Sequence, residues 1–136
     1  MNMGYAGKLK VLKPISTITS SEEITIKVEI FNDSADEWAS DGINPCNLSY
    51  HWSKKSGEMH IFDGLRTKLI KSIFPGQSLI TEIKVAAPQK AGIYFIVLTL
   101  VKEGVAWFEN KGFKTVKIRI KVNPPWVKNI KPKQLK

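Results

Sequence analysis

NLSYHWSKKSGEMHIFDGLRT, residues 47–67, is the stretch whose reading decides the fold. Side chains in a strand alternate faces with period two, so Leu48, Tyr50 and Trp52 fall on one side while Ser49 and His51 fall on the other. An aromatic strand with a polar back follows, with Trp52 as the central core anchor. Ser56 and Gly57 supply a turn, residues 59–62 read as a short returning strand, and Asp63-Gly64 closes it with residues that tolerate positive φ. The exit of this hairpin displays Asp63 and Arg66.

Outward from the hairpin, the same alternation recurs. Upstream, EEITIKVEIF sets Ile24, Ile26, Val28 and Ile30 against Thr25, Lys27 and Glu29, the pattern of a half-buried antiparallel strand. Residues 5–12 alternate more loosely, and their lysines together with Pro14 read as an edge strand. Residues 16–21 read as a polar connection, and residues 32–44 as a loop with Trp38 in its middle. That indole either folds back to plug the end of the core or stands exposed as a binding platform.

Downstream, Pro75-Gly76 turns the chain into an amphipathic strand of Leu79, Thr81, Ile83 and Val85 against Ile80, Glu82 and Lys84. Residues 94–101 are apolar on both faces, with Tyr94, Ile96, Leu98 and Leu100 opposing Phe95, Val97 and Val101, as expected of a central or partner-contacting strand. After Glu103-Gly104 come a short strand at residues 105–108, a turn at residues 110–112 and a last strand, residues 114–122. That strand places Val116, Ile118, Ile120 and Val122 inward and Lys117, Arg119 and Lys121 outward. No helical period competes. Short strands separated by turns about every ten residues predict an all-β, immunoglobulin-like antiparallel sandwich with Greek-key connections and seven to nine strands. Residues 1–123 form this sandwich, and residues 124–136 are expected to be a basic, flexible tail.

A chain of 136 residues is the size of one ordinary domain and buries roughly two thirds of its unfolded surface without a staple. The single Cys46 has no internal partner, which fits a reducing, cytoplasmic setting, and a buried apolar role suits it better than a nucleophile. No run approaches the ~20 apolar residues of a membrane span. The formal charge of +9 favours anionic partners.

His51 and His60 are the only histidines and lack metal-ligand spacing, so neither a metal nor a cofactor is expected. Asp63, Glu103 and Glu109 could supply a glycosidase-like carboxylate pair, but acids at turns more commonly cap amides or pair with Arg66, so no enzyme is expected. Lys117, Arg119 and Lys121, extended by Lys128, Lys131, Lys133 and Lys136, make a basic stripe. No nucleic-acid partner is expected, because no aromatic recognition motif accompanies it. More specific are polar residues set beside aromatics at strand ends: His51-Trp52, Phe62-Asp63 with Arg66, and Glu103 with Trp107 and Phe108. An aromatic face beside acids and a guanidinium suits a sugar ring, and Trp107 is either that platform or a core aromatic.

NLSYHW, FDGLRT, the Pro75-Gly76 turn, Ala87-Pro88, Ala91-Gly92-Ile93-Tyr94 and LVKEGVAWF together resemble the bacterial immunoglobulin-like domain appended to surface-polysaccharide glycosyltransferases and methyltransferases, over residues 24–122. A looser similarity, through Trp38, Trp52 and Trp107, is to the four-tryptophan domain of autophagy cargo receptors. The first resemblance implies a non-catalytic module that holds a glycan or docks a glycosyltransferase or transporter partner. The expected ligand-binding residues are Trp107 for stacking, Arg66 and His51 as donors, and Asp63 and Glu103 as acceptors. The rival is a protein-docking or dimerisation domain, through Phe95, Val97 and Val101 or an edge strand.

Overall fold

The computed structural model describes residues 3–129, and period-two alternation becomes two stacked β-sheets. The strands are β1 (Gly7–Val11), β2 (Thr17–Thr19), β3 (Glu23–Asn32), β4 (Cys46–Lys54), β5 (Met59–Ile61), β6 (Thr67–Lys68), β7 (Ser78–Ala86), β8 (Gly92–Lys102), β9 (Ala106–Trp107), β10 (Phe113–Lys114) and β11 (Val116–Asn123). Sheet one runs β10-β1-β3-β7. Sheet two runs β2-β11-β8-β4-β5, with β6 added to β4 and β9 to β8. This is the immunoglobulin-like sandwich, with eight strands of three residues or more and three two-residue ladders among the described residues.

The core lies between the inner faces. Val28, Ile30, Ile83, Leu98 and Leu100 are fully buried, each at an inward position of its strand. Trp52 is 1% exposed, and an aromatic buried to that degree contributes roughly 2–3 kcal/mol by area alone. Its ring meets Tyr50 and Tyr94 edge-on at 6.4 and 6.0 Å. Its Nε1–H donates to the Ala86 carbonyl at 3.0 Å, while the Ala86 N–H donates to the Tyr50 hydroxyl at 2.9 Å. The last residue of β7 thus has both backbone groups satisfied by β4, across the gap between the sheets.

Trp38 closes one end of the core. It is 2% exposed, donates from Nε1 to the Gly4 carbonyl at 2.8 Å, and packs edge-on against Phe108 and Phe113. Of its two possible roles, plug rather than platform is the one adopted. The loop carrying it is organised by Asn32, which is fully buried. Its amide donates to the carbonyls of Asp36 and Ile73, and its Oδ1 accepts from the N–H and hydroxyl of Ser34.

Some segments depart from the sequence expectation. Residues 16–21 are not only a connection, since Thr17–Thr19 forms β2 and pairs in parallel with β11. Sheet one's β1 is not a bare edge either, because β10 pairs in parallel with Gly7 and Lys8. The polar back of β4 is not solvated: Ser49, His51 and Ser53 are all buried. Cys46 is buried too, and burial pushes its thiol up to about 11. At the C-terminus, Pro125–Asn129 forms a short 3-10 turn, and the remainder of the expected tail lies outside the described residues. Among the described residues, no helix is long and apolar enough to cross a membrane.

Candidate functional site

The burial of β4's polar back locates the site. Two segments fold over the outer face of sheet two, residues 62–66 from one side and residues 107–109 from the other. The first lies flat because residue 64 is glycine. A Cβ there would collide with the Tyr50 carbonyl and ring, and the Gly64 N–H donates to that carbonyl at 3.1 Å. Ser49, directly beneath, donates toward the carbonyls of Gly64 and Leu65 at 3.2 and 3.1 Å. The second segment arrives through a tight turn at Gly104, φ 75°, and its 3-10 turn Phe108–Lys111 ends at Gly112, φ 96°. Both glycines occupy the left-handed region that disfavours other residues.

Arg66 joins the two segments. Its Nε donates to Glu103 Oε2 at 2.8 Å, and its Nη1 reaches Asp63 Oδ1 at 2.6 Å, the Gly64 carbonyl at 2.8 Å and the Ser49 hydroxyl at 3.1 Å. The guanidinium carbon sits 4.9 Å from the Trp107 ring centroid, within cation–π range. Glu103 Oε2 also accepts from the Asn47 amide at 2.8 Å. Arg66, Asp63, Glu103 and Trp107, four of the five residues expected from the sequence, therefore share one patch. Trp107 is half-buried, neither core nor fully exposed. A shallow open depression of about 260 Å³ lies beside it, lined by Arg66, Lys102, Glu103, Val105 and Trp107.

His51, the fifth, lies under the patch and is 3% exposed. Phe62 stacks on its ring at 4.5 Å, and Trp107 tilts against it at 4.5 Å. Nδ1 faces the Phe62 carbonyl, and Nε2 meets Glu109 Oε2 at 2.6 Å. Glu109 Oε1 accepts from the Thr99 hydroxyl at 2.7 Å. Because both ring nitrogens face acceptors, the arrangement stabilises the doubly protonated imidazolium. Burial by itself lowers the His51 pKa, but the bonds to Glu109 and Phe62 outweigh it and hold it above the usual histidine value. Burial likewise favours the neutral acid of Glu109, yet the bonds from His51 and Thr99 bring its pKa below the usual carboxylate value.

The sequence reading missed the pairing of Glu109 with His51, and with it the roles of Thr99, Ser49 and Asn47. The chain does place an acid right after Trp107-Phe108, but nothing in strand periodicity announces a 3-10 turn that carries it back over β4. Larger depressions exist elsewhere. One of about 460 Å³ lies on the far side of residues 62–66, between His60, Asp63, Leu65, Gln89 and Lys90. Another of about 840 Å³ is an open surface of sheet one around Ile70, Ile80 and Lys84, without a converging hydrogen-bond network. Among the described residues, no three His, Cys, Asp or Glu side chains gather as metal ligands.

No protein-family profile matches the chain, and no curated relative does. Solved structures do resemble it. The sporulation control protein Spo0M from Bacillus subtilis is 18% identical with a TM-score of 0.54, matching 91% of this chain and 52% of its own. The chain thus spans about half the length of Spo0M. The CARDB domain of a Pyrococcus furiosus protein is 13% identical with a TM-score of 0.44, covering 87% of this chain and 94% of that domain. At such identities the likeness concerns the fold.

Proposed function

We propose that this chain is a non-catalytic glycan-binding module serving a bacterial surface-polysaccharide synthesis or export system, in the cytoplasm, alongside a glycosyltransferase or transporter partner. The observation that carries the reading is Trp107, held half-open beside Arg66, Asp63 and Glu103 at the edge of the 260 Å³ depression. The part of the indole that Arg66, His51 and Phe62 leave open would meet the C–H side of a sugar ring, and the charged groups around it match hydroxyls. Among the described residues, Arg66 Nη2, Asp63 Oδ2 and Glu103 Oε1 take no protein partner and are the polar atoms offered to a ligand. His51, with both nitrogens engaged, acts from beneath by fixing Phe62 and Trp107. The motif resemblance to glycosyltransferase-appended domains supports the same reading.

The test is a panel of bacterial glycans titrated into the protein with tryptophan fluorescence as readout. Trp107→Ala should abolish binding and still unfold cooperatively. Unfolding of that variant, or undiminished binding by it, would remove the assignment.

A protein-docking or dimerisation role is the second reading. Met59 in β5, and Phe62 and Leu65 just after it, stand 50%, 47% and 42% exposed, and β5 ends sheet two with one side unpaired. Of the docking residues expected from the sequence, Val101 is covered from within, whereas Phe95 and Val97 remain half-buried. Concentration-dependent sedimentation distinguishes this reading from a monomeric glycan binder.

A further inference from the structure

The two sheets carry their surface charge differently. On the outer face of sheet one, opposite signs face each other across strands: Lys10 is registered with Glu29, and Lys27 with Glu82. On sheet two, Lys117, Arg119 and Lys121 are all exposed on one face of β11, and their cross-strand neighbours on β8 are Val97, Phe95 and Ile93. On the other side, Lys121 is registered with Thr17 of β2. Neither these three cations nor Lys10 and Lys27 of sheet one enter an ion pair among the described residues, so the difference is one of register: sheet two sets no acid opposite the row. Lys117 Nζ instead rests 4.9 Å from the Phe95 ring centroid.

This unneutralised row shares a face with the Trp107 patch. Trp107 is registered with Val101 of β8, and Lys117 with Val97, four residues further along the same strand. At strand spacing this is about 13 Å, and the row from Lys117 to Lys121 adds about 13 Å more. His51, under the patch, occupies the same rung as Val97 and Lys117. The patch and the row share this face, with hydroxyl acceptors at one end, the His51-paired Glu109 carboxylate at the Thr99 rung between them, and cations from Lys117 onward.

We infer that this face binds an acidic polysaccharide, with a sugar stacked on Trp107 and carboxylate-bearing residues of the same chain lying against Lys117, Arg119 and Lys121. This rests on the glycan reading above and specifies its ligand class. The chemistry favours such a polymer over nucleic acid for two reasons. Asp63 and Glu103 flank the platform as acceptors, and each sugar residue offers them hydroxyl donors, whereas a phosphodiester linkage offers none. The row also lacks open aromatic faces for successive bases, because Phe95 is half-buried beneath Lys117.

The experiment compares polygalacturonate, its fully methyl-esterified form, neutral dextran and a single-stranded oligothymidylate, each titrated into the full chain at low and high salt. Polygalacturonate should bind, weaken with salt, and lose about tenfold in affinity in the Lys117→Gln/Arg119→Gln/Lys121→Gln variant, by the usual worth of three exposed ion pairs. The unfolding midpoint of that variant should stay unchanged, since the three side chains are exposed. Trp107→Ala should lose binding altogether. If the esterified polymer or dextran binds equally well and still needs Trp107, the inference falls while the glycan reading stands. If polygalacturonate binding ignores the triple substitution, the inference falls likewise. Tighter binding of the oligothymidylate through the same row, or no binding of any polysaccharide, overturns both.

Discussion

Replacing Glu109 by glutamine should destabilise the protein by an amount that depends on pH in a specific direction. The carboxylate sits 2.6 Å from a nearly inaccessible imidazole and takes the Thr99 hydroxyl on its other oxygen. Charge-assisted bonds of this kind are worth about 1.5–3 kcal/mol, and the substituted amide keeps only a neutral acceptor, so a loss of about 2 kcal/mol is expected where the ion pair is fully formed. His51 titrates above its unfolded value of ~6.5, so its contribution is complete below that pH and fades as pH rises through the folded pKa. Glu109 titrates below its unfolded value of ~4.3, so its contribution is complete above that pH and fades under acid. The two overlap in full between about pH 4.5 and 6.5, and the deficit of the variant should be greatest there. Urea unfolding followed by tryptophan fluorescence at pH 5.5, 7.5 and 9.5 measures it. The wild type should lose stability from pH 5.5 to 9.5 more steeply than Glu109→Gln, so that the two converge. Parallel curves, or a deficit under about 0.5 kcal/mol at pH 5.5, would refute the imidazolium–carboxylate assignment.

Other perturbations separate the parts of the structure. Gly64→Ala places a methyl group against the Tyr50 carbonyl and should cost about 1–3 kcal/mol while lifting residues 62–66, seen as faster exchange of the residue-64 amide that bonds the Tyr50 carbonyl. Asn32→Ala strips partners from Ser34 and from the carbonyls of Asp36 and Ile73, and should cost about 2–4 kcal/mol in chemical denaturation. Cys46, with its thiol pushed up to about 11, should react with a disulfide reagent at pH 8 only as fast as the chain opens. Rapid stoichiometric labelling would show that the site is not closed.

Much of the sandwich was legible because its longest strands each obey one rule. The rows of β3, β7 and β11 alternate cleanly, and the doubly apolar β8 does sit in the middle of its sheet, between β11 and β4. What stayed hidden depends on through-space events. Strand β2 has three residues and exists because β11 offers it an edge. The burial of Ser49 and His51 depends on two distant segments meeting over them, which no local period encodes. The shared patch was legible by a different signal, charged groups next to aromatics at turns. That signal put Asp63, Arg66, Glu103 and Trp107 in one patch but could not tell a solvent-facing group from one lying beneath it. His51 looked like a donor to ligand, and the structure commits both its nitrogens to the protein.

The double covering of β4 has a consequence for how the molecule opens. Segment 62–66 is held chiefly by Arg66, the Phe62–His51 stack and one backbone bond to Tyr50, whereas segment 107–109 is rooted in the interlayer core through the fully buried Phe108. The outer flap, residues 62–66, is therefore expected to lift and reseat many times for each global unfolding event, while Phe108 keeps residues 107–109 in place. Binding at its surface would be read as a slowing of that breathing, registered at the Gly64 amide and along the neighbouring edge of β4 long before the melting temperature moves.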